Sequence, residues 1–449
     1  MSVSHESVRP PATALRWFAL AICALGGAGA LAVILVVMRV PGIASAAGLD
    51  PELARRCLVV HVDLATGVWF FATLAGLVCL AKTRARRPRF ASAGVLLATS
   101  GVVVMLSSAV LDSRVVLSDY VPVLDHPAFL VGLAAFALGV VLETAWWRSS
   151  GGERWLPIEV QHGLRASGAA FALALLTIVA AYMFRDPSAT RTASYEDLFW
   201  GGGHVLQFAA TAGMLACWLL LFHEAVGTRA ITARGAAAVF VLLVIPTALG
   251  PVLVLTRQEP VAFTRLMELG IFPAVVILTI AGAAAALRHG RPSDLHWPLQ
   301  TIAARGLFIG VAMTFLGFVL GAQIRGNTTL TPAHYHISIG AVTVSFMTTV
   351  LILLPRFGVP LAHPRLAMWQ PGIYGGGQTL FASGLAIAGF WGHSGRKLYD
   401  AQRIVTAPVE RIGWTIAGVG GLLAFAAGIL FVVLVVSSVR RAAAVAHPS

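Results

Sequence analysis

The chain has 449 residues, 58% of them hydrophobic and only 11% charged, with a mean hydropathy of +0.83. That balance excludes an ordinary soluble domain, in which charged residues alone make up about a quarter of the chain. The formal charge of +13 would suit a polyanion-binding protein, but it is concentrated between apolar runs, where it reports membrane topology and implies no nucleic-acid partner.

A membrane-spanning helix needs about 20 mainly apolar residues. Twelve stretches meet that condition: 17–38, 57–81, 90–111, 127–147, 166–184, 198–222, 235–256, 269–287, 306–324, 332–355, 372–392 and 411–438. The predicted fold class is all-α, a polytopic membrane protein built as a bundle of about twelve transmembrane helices. The loops are short and marked by Pro, Gly and Arg, so residues 1–449 are predicted to form a single membrane domain, with short tails at 1–16 and 439–449. The first stretch follows Arg9 and Arg16 without a small-residue cleavage site, which predicts a retained helix. Cys23, Cys57, Cys79 and Cys217 lie in or beside apolar stretches with no CxxC or CxxCH, so they read as small core residues. The termini and even-numbered loops hold 19 Lys and Arg, including "KTRARRPR" at 82–89, and the opposite side holds 13. The positive-inside rule then places both termini in the cytoplasm of a bacterial-type inner (cytoplasmic) membrane, with the lipid bilayer around a multi-pass chain.

With that orientation the second, sixth and tenth stretches all run from the outer face inward. His61 lies early in the second, in "CLVVHVDLATGVWFF"; His204 early in the sixth, in "FWGGGHVLQFAATAG"; His334 and His336 open the tenth, in "TPAHYHISIGAV". The four share one layer near the outer face. Residues i and i+2 of an α-helix are about 200° apart, so His334 and His336 point to opposite flanks and one metal cannot easily take both. Two centres, one per flank, can. His61 offers a second axial ligand to one of them, giving a six-coordinate low-spin haem; the other would be five-coordinate, open to a small gas, with His204 facing it. A lone intramembrane histidine is often only an interhelical hydrogen-bonder, and His61 or His204 alone would be read so; four at one depth favour a metal role. A transporter would place its site near the midplane between repeated halves, and no such repeat is evident.

Weaker signals fill in the rest. "YVPVLDHP" at 120–127 and "WQPGIYGGGQ" at 369–378 read as Pro- and Gly-marked helix starts. The intramembrane carboxylates are Asp63, Glu143 and Glu268. Asp63 is assigned either to a haem environment or to structural hydrogen bonding, and Glu143 to snorkelling at the inner end of the fourth stretch. Lys82 and Lys397 are the only lysines, so no lysine pathway crosses the membrane and efficient proton pumping is not expected.

Around these histidines the sequence resembles the catalytic subunit of the haem–copper oxidase superfamily, the group of respiratory oxygen reductases and nitric oxide reductases. The family pattern of histidine, one residue, histidine is matched by "AHYHISIGAV", and "GGGHVLQFAATAG" is similar to the C-family oxidases. The resemblance spans essentially all twelve stretches in order. It implies that His61 and His336 ligate a low-spin haem, that His334 ligates a high-spin haem, and that His204 is the ligand offered to copper or non-haem iron. It also implies that Arg396 and Lys397, in "GHSGRKLYD", bond the haem propionates. The function it implies is a dihaem oxidoreductase of respiratory type. Electrons would pass from an outer-side donor through the low-spin haem to the high-spin haem, where O2 or NO is reduced. The donor would be a cytochrome c-type or cupredoxin-like subunit, or a quinol. Two departures stand against full oxidase chemistry. Val252 and Leu253 follow Gly250-Pro251 where the family carries two adjacent histidines, and Phe208 stands four residues after His204 where many members carry tyrosine. Gln207, Glu268 and His126 are the conceivable substitute ligands. The alternative the departures suggest is a haem-binding paralogue without the second metal, serving gas sensing, haem delivery or electron relay.

Overall fold

The computed structural model describes residues 10–39, 50–82, 92–145, 155–256, 260–289, 300–391 and 407–446. Fourteen α-helices account for nearly all of them. They are α1 (Ala12–Arg39), α2 (Pro51–Val62), α3 (Trp69–Ala81), α4 (Ala93–Ser107), α5 (Pro127–Thr144), α6 (Ile158–Met183), α7 (Arg191–Val226), α8 (Ala233–Val244), α9 (Leu249–Leu255), α10 (Pro260–His289), α11 (Ile302–Ala322), α12 (Leu330–Arg356), α13 (Pro364–Phe390) and α14 (Pro408–Ala446). A π-helical segment, Asp63–Val68, joins α2 to α3 into one continuous span, and a 3₁₀ turn, Ile245–Ala248, joins α8 to α9. Among the described residues the non-helical exception is an antiparallel hairpin, β1 (Arg114–Val116) with β2 (Val123–Asp125), in the register Arg114 to Asp125 and Val116 to Val123. Eleven of the described helical segments are long and apolar enough to cross a membrane. The all-α, multi-pass expectation therefore holds.

Helix ends follow local chemistry. Thr190, Thr232 and Thr301 cap α7, α8 and α11 by accepting the N–H of Ala193, Gly235 and Ala304. His126 does the same for α5, accepting the Ala128 N–H at 3.1 Å with Pro127 in the first turn. That bond occupies His126 structurally. α7 stops at Gly227, whose φ of +76° suits a residue without a Cβ. Several expected boundaries shift. "WQPGIYGGGQ" lies inside α13 rather than starting it: the helix begins at Pro364 and carries Pro371 internally. Gln370 is buried there and bonds the Ala427 carbonyl, so its polarity does not mark an aqueous end. α14 runs to Ala446, past the expected span end at 438. The seventh stretch is broken at Pro246, which cannot donate a helical hydrogen bond.

The helices cluster into two compact units. The larger takes residues 11–31 and 52–291, and the smaller residues 1–10, 32–51 and 292–449. In the larger, α4 and α5 approach closely enough that only glycine fits. A Cβ on Gly101 would lie 2.5 Å from the Gly132 carbonyl oxygen and 2.6 Å from the Phe136 nitrogen. Gly101→Val is expected to destabilise the protein by roughly 1–3 kcal/mol through this clash, read as a lower thermal midpoint in detergent. In the smaller unit Gly377, Gly384, Gly413 and Gly420 let α13 and α14 pack backbone to backbone in the same way.

Burial separates the spans into two classes. In Glu52–Ala81, Arg191–Val226 and Leu330–Arg356, 83% of the most apolar window is buried, against 28–50% in the other eight. The three interior spans are the ones that carry His61, His204 and the His334/His336 pair. The others turn large apolar side chains outward, among them Leu96, Val103, Val131 and Leu138, as lipid-facing helices must. Three of the four cysteines are buried; Cys23 is exposed.

Glu143 differs from its expected snorkelling role. It is 6% exposed, and one carboxylate oxygen accepts from Lys82 Nζ at 2.6 Å while the other accepts from Trp17 Nε1 at 3.1 Å. Both oxygens are satisfied inside the bundle, so the side chain has no reason to reach for water.

Candidate functional site

In the larger unit, His61 sits in the last turn of α2 and its Nδ1 lies 2.8 Å from the Ala28 carbonyl oxygen of α1. A carbonyl can only accept, so Nδ1 carries the proton and Nε2 the lone pair. The π segment begins two residues later. π segments inside α-helices concentrate at functional sites. Asp63 opens this one: it is 4% exposed, and its Oδ2 has no hydrogen-bond partner among the described residues. Of the two roles assigned to Asp63, structural hydrogen bonding therefore leaves one oxygen unexplained.

His204, 4% exposed on α7, is held at both nitrogens. Its Nδ1–H donates to the Trp200 carbonyl at 2.8 Å, one turn back. That tautomer leaves Nε2 as an acceptor, and Tyr120 O–H donates to it at 2.9 Å. The ring is boxed in by Tyr120, Trp200 and Phe263, with centroids 4.6, 4.8 and 5.4 Å away. Tyr120 comes from the loop between β1 and β2. It has a φ of 69°, the only positive value at a non-glycine residue among the described ones, and a left-handed conformation is costly for a bulky residue. Its ring lies against Gly203, where a Cβ would collide with it. The Asp119 N–H, donating to Glu196 at 2.9 Å, ties the same loop to α7. Sequence reasoning missed Tyr120 because its partner lies 84 positions away. Tyr120→Phe is expected to cost about 1–3 kcal/mol by leaving the buried Nε2 without a donor, measurable by equilibrium unfolding in mixed micelles.

In the smaller unit, His334 and His336 do take opposite flanks of α12. The Nδ1–H of His334 donates to the Gly317 carbonyl of α11 at 2.7 Å, and its ring rests on Gly321, where a Cβ would lie 2.8 Å from the ring. His336 instead meets Phe381 of α13 edge to face, with centroids 4.7 Å apart and planes at 87°. His334 thus repeats the His61 arrangement: a backbone carbonyl fixes the tautomer and leaves the ring lone pair on Nε2. Arg396, Lys397 and the side chain of Glu268 lie outside the described residues.

A metal held by protein side chains alone finds less support. Among the described residues, no three His, Cys, Asp or Glu side chains come together in a way that could hold an ion. Val252 and Leu253 follow Gly250 in α9, Val252 being 49% exposed, and neither can ligate.

No family model matches the chain. It is similar to an uncharacterised protein of Aquifex aeolicus (strain VF5), with 28% identity over 359 residues covering 76% of this chain and 84% of the relative. An uncharacterised protein of Rickettsia prowazekii (strain Madrid E) aligns over 495 residues at 21% identity, covering 93% of this chain and 94% of that one. Among solved structures, it is similar to a haem–copper terminal oxidase determined as a dimer by cryo-electron microscopy. The TM-score is 0.69 at 15% identity, over 95% of this chain and 84% of the oxidase chain. The protein therefore has the fold of a haem–copper terminal oxidase.

Proposed function

We propose that this chain is the haem-carrying subunit of a respiratory-type membrane oxidoreductase. His61 and His336 would hold a low-spin haem and His334 a high-spin haem, with Arg396 and Lys397 as the partners offered to propionates. The observation that carries the proposal is the shared state of His61 and His334: each spends Nδ1–H on a backbone carbonyl of a neighbouring helix and keeps its Nε2 lone pair, which is how a metal-ligating imidazole is oriented. Bound haem would supply redox-active iron and a site for O2 or NO. The chain's own residues do the positioning. The Ala28 and Gly317 carbonyls set ring rotation and strengthen the imidazoles as donors. Phe381 braces the His336 ring by its edge. Asp63 places a buried acceptor two residues from His61.

The residues do not fit copper or non-haem iron at His204, whose two nitrogens are both engaged within the described structure. No step is assigned to such an ion. This favours the second function, a haem protein that senses a gas, delivers haem or relays electrons without turnover. Charge placement supports a cytoplasmic-membrane protein with both termini inside and an electron donor on the outer side, either a cytochrome c-type or cupredoxin-like subunit or a quinol. One sample tests these proposals: an anaerobic reduced-minus-oxidised spectrum with and without CO, together with elemental analysis and O2 and NO consumption from a reduced donor. The oxidoreductase requires about two haems per chain, one of them CO-responsive, and turnover. Haem without turnover selects the sensing or relay function, and colourless protein sinks both.

A further inference from the structure

We infer that the larger unit binds a zwitterionic phospholipid, whose headgroup sits in a cleft between the end of α6, the start of α7 and the first turn of α5. The cleft measures about 460 Å³, and its lining lies wholly within residues 130–198. That volume suits a small amphipathic ligand or a headgroup. The local sequence "RDPSAT" at 185–190 shapes it. Asp186 Oδ1 accepts the Ser188 N–H at 2.8 Å and the Ser188 hydroxyl at 2.6 Å, closing a tight turn around Pro187. Thr190 then caps α7. The α7 wall is pinned by β2. Asp125 pairs with the Arg191 guanidinium through Nε at 2.5 Å and Nη2 at 3.0 Å, and it accepts the Tyr195 hydroxyl at 2.8 Å. The cleft is therefore preformed, which lowers the ordering cost of an occupant.

Two properties of the lining name the occupant. One side is apolar and continuous with the lipid-facing surface. Leu130 precedes the exposed Val131 of α5, and Leu176, Val179 and Tyr182 are exposed along the last turns of α6. An apolar row ending in an aromatic residue marks the membrane boundary. The other side is charged. Arg191 is neutralised by Asp125, whereas Arg185 forms no ion pair among the described residues. The Arg185 guanidinium carbon stands 4.1 Å from the centre of the Tyr182 ring. That contact uses the flat face of the cation and leaves its N–H edge, whose fork matches two phosphate oxygens. Asp186, next in sequence, places a carboxylate on the same lining. Arg185 and Arg191 against Asp125 and Asp186 sum to zero charge, so a net anionic headgroup gains no long-range attraction. A neighbouring phosphate and ammonium instead match the neighbouring guanidinium and carboxylate. The acyl chains follow Leu130 and Leu198 toward the bilayer, and a soluble phosphate ester would leave that apolar side in water. None of the four histidines lines the cleft, so this binding is independent of the proposed haem sites.

Photocrosslinking of the full-length protein in phosphatidylglycerol nanodiscs tests it. The probe is a trace of phosphatidylethanolamine with a diazirine near the glycerol end of one acyl chain. Peptide mapping by mass spectrometry should find adducts on 182–198 enriched over those on lipid-facing α4, and unlabelled phosphatidylethanolamine should displace them. Arg185→Ala should lower the enrichment about tenfold, as loss of one charge-assisted contact implies. Arg185→Lys should fall between, since an ammonium keeps the charge without the fork. A phosphatidylglycerol probe of the same design should show no enrichment, and inorganic phosphate should displace nothing. Labelling spread evenly over the lipid-facing helices overturns the inference, as does enrichment that Arg185→Ala leaves unchanged. Equal enrichment of the phosphatidylglycerol probe, or displacement by inorganic phosphate, also overturns it. The enrichment is read on unaltered protein and so does not depend on how any variant folds.

Discussion

His334→Ala is expected to lower the haem content from about two per chain to about one and to abolish the CO-sensitive part of the reduced spectrum, because the remaining low-spin iron has no open position. The effect should be confined to that haem. His334 contacts α11 through Gly317 and Gly321, whereas His336 contacts Phe381 of α13, so the alanine leaves a void on one flank of α12 only. His336→Ala and His61→Ala should give the converse, losing the low-spin signature while CO still binds. Pyridine haemochrome quantitation and CO-difference spectra read both outcomes. Unaltered haem content and CO response in His334→Ala would remove the basis of the proposed function. His204→Ala then separates its two forms. Both haems should stay, and turnover should fall only where His204 touches the reaction.

Glu143→Ala is expected to be the most damaging substitution away from the histidines, costing about 3–5 kcal/mol. The carboxylate is 6% exposed and bonds Lys82 Nζ, which also donates to the Glu143 carbonyl, and Trp17 Nε1. Truncation strands a partly buried ammonium and an indole N–H at once. Denaturant titration in mixed micelles measures the loss. The Lys82→Met, Glu143→Ala double variant should recover part of it, since removing both partners leaves no unpaired charge. A cost below about 1 kcal/mol for Glu143→Ala would mean that the pair is hydrated like a surface ion pair.

Much of this architecture was legible in the sequence because membrane helices announce themselves by length and apolarity, and the stretch at 332–355 falls within one residue or two of α12. The opposed flanks of His334 and His336 were also legible, since helical geometry alone dictates them. Their tautomers were not, because Ala28 and Gly317 contribute only backbone oxygens, which no side-chain pattern reveals. Tyr120 was hidden for a different reason. "SDYVPVLDHP" reads as a turn before a helix, and nothing in it says that the ring will fold over Gly203. The hairpin strands of three residues each are too short to show alternation.

The π segment at Asp63–Val68 sets the phase of the span it interrupts. Such a segment accommodates one residue more than an α-helix of the same rise, and each residue is worth about 100° of rotation. His61 and the uniformly buried run Trp69–Ala81 thus keep their orientations only while that additional residue is present. Deleting a single position there would restore ordinary α-helical bonding with little local damage, yet it would swing the imidazole around the helix axis relative to everything below it.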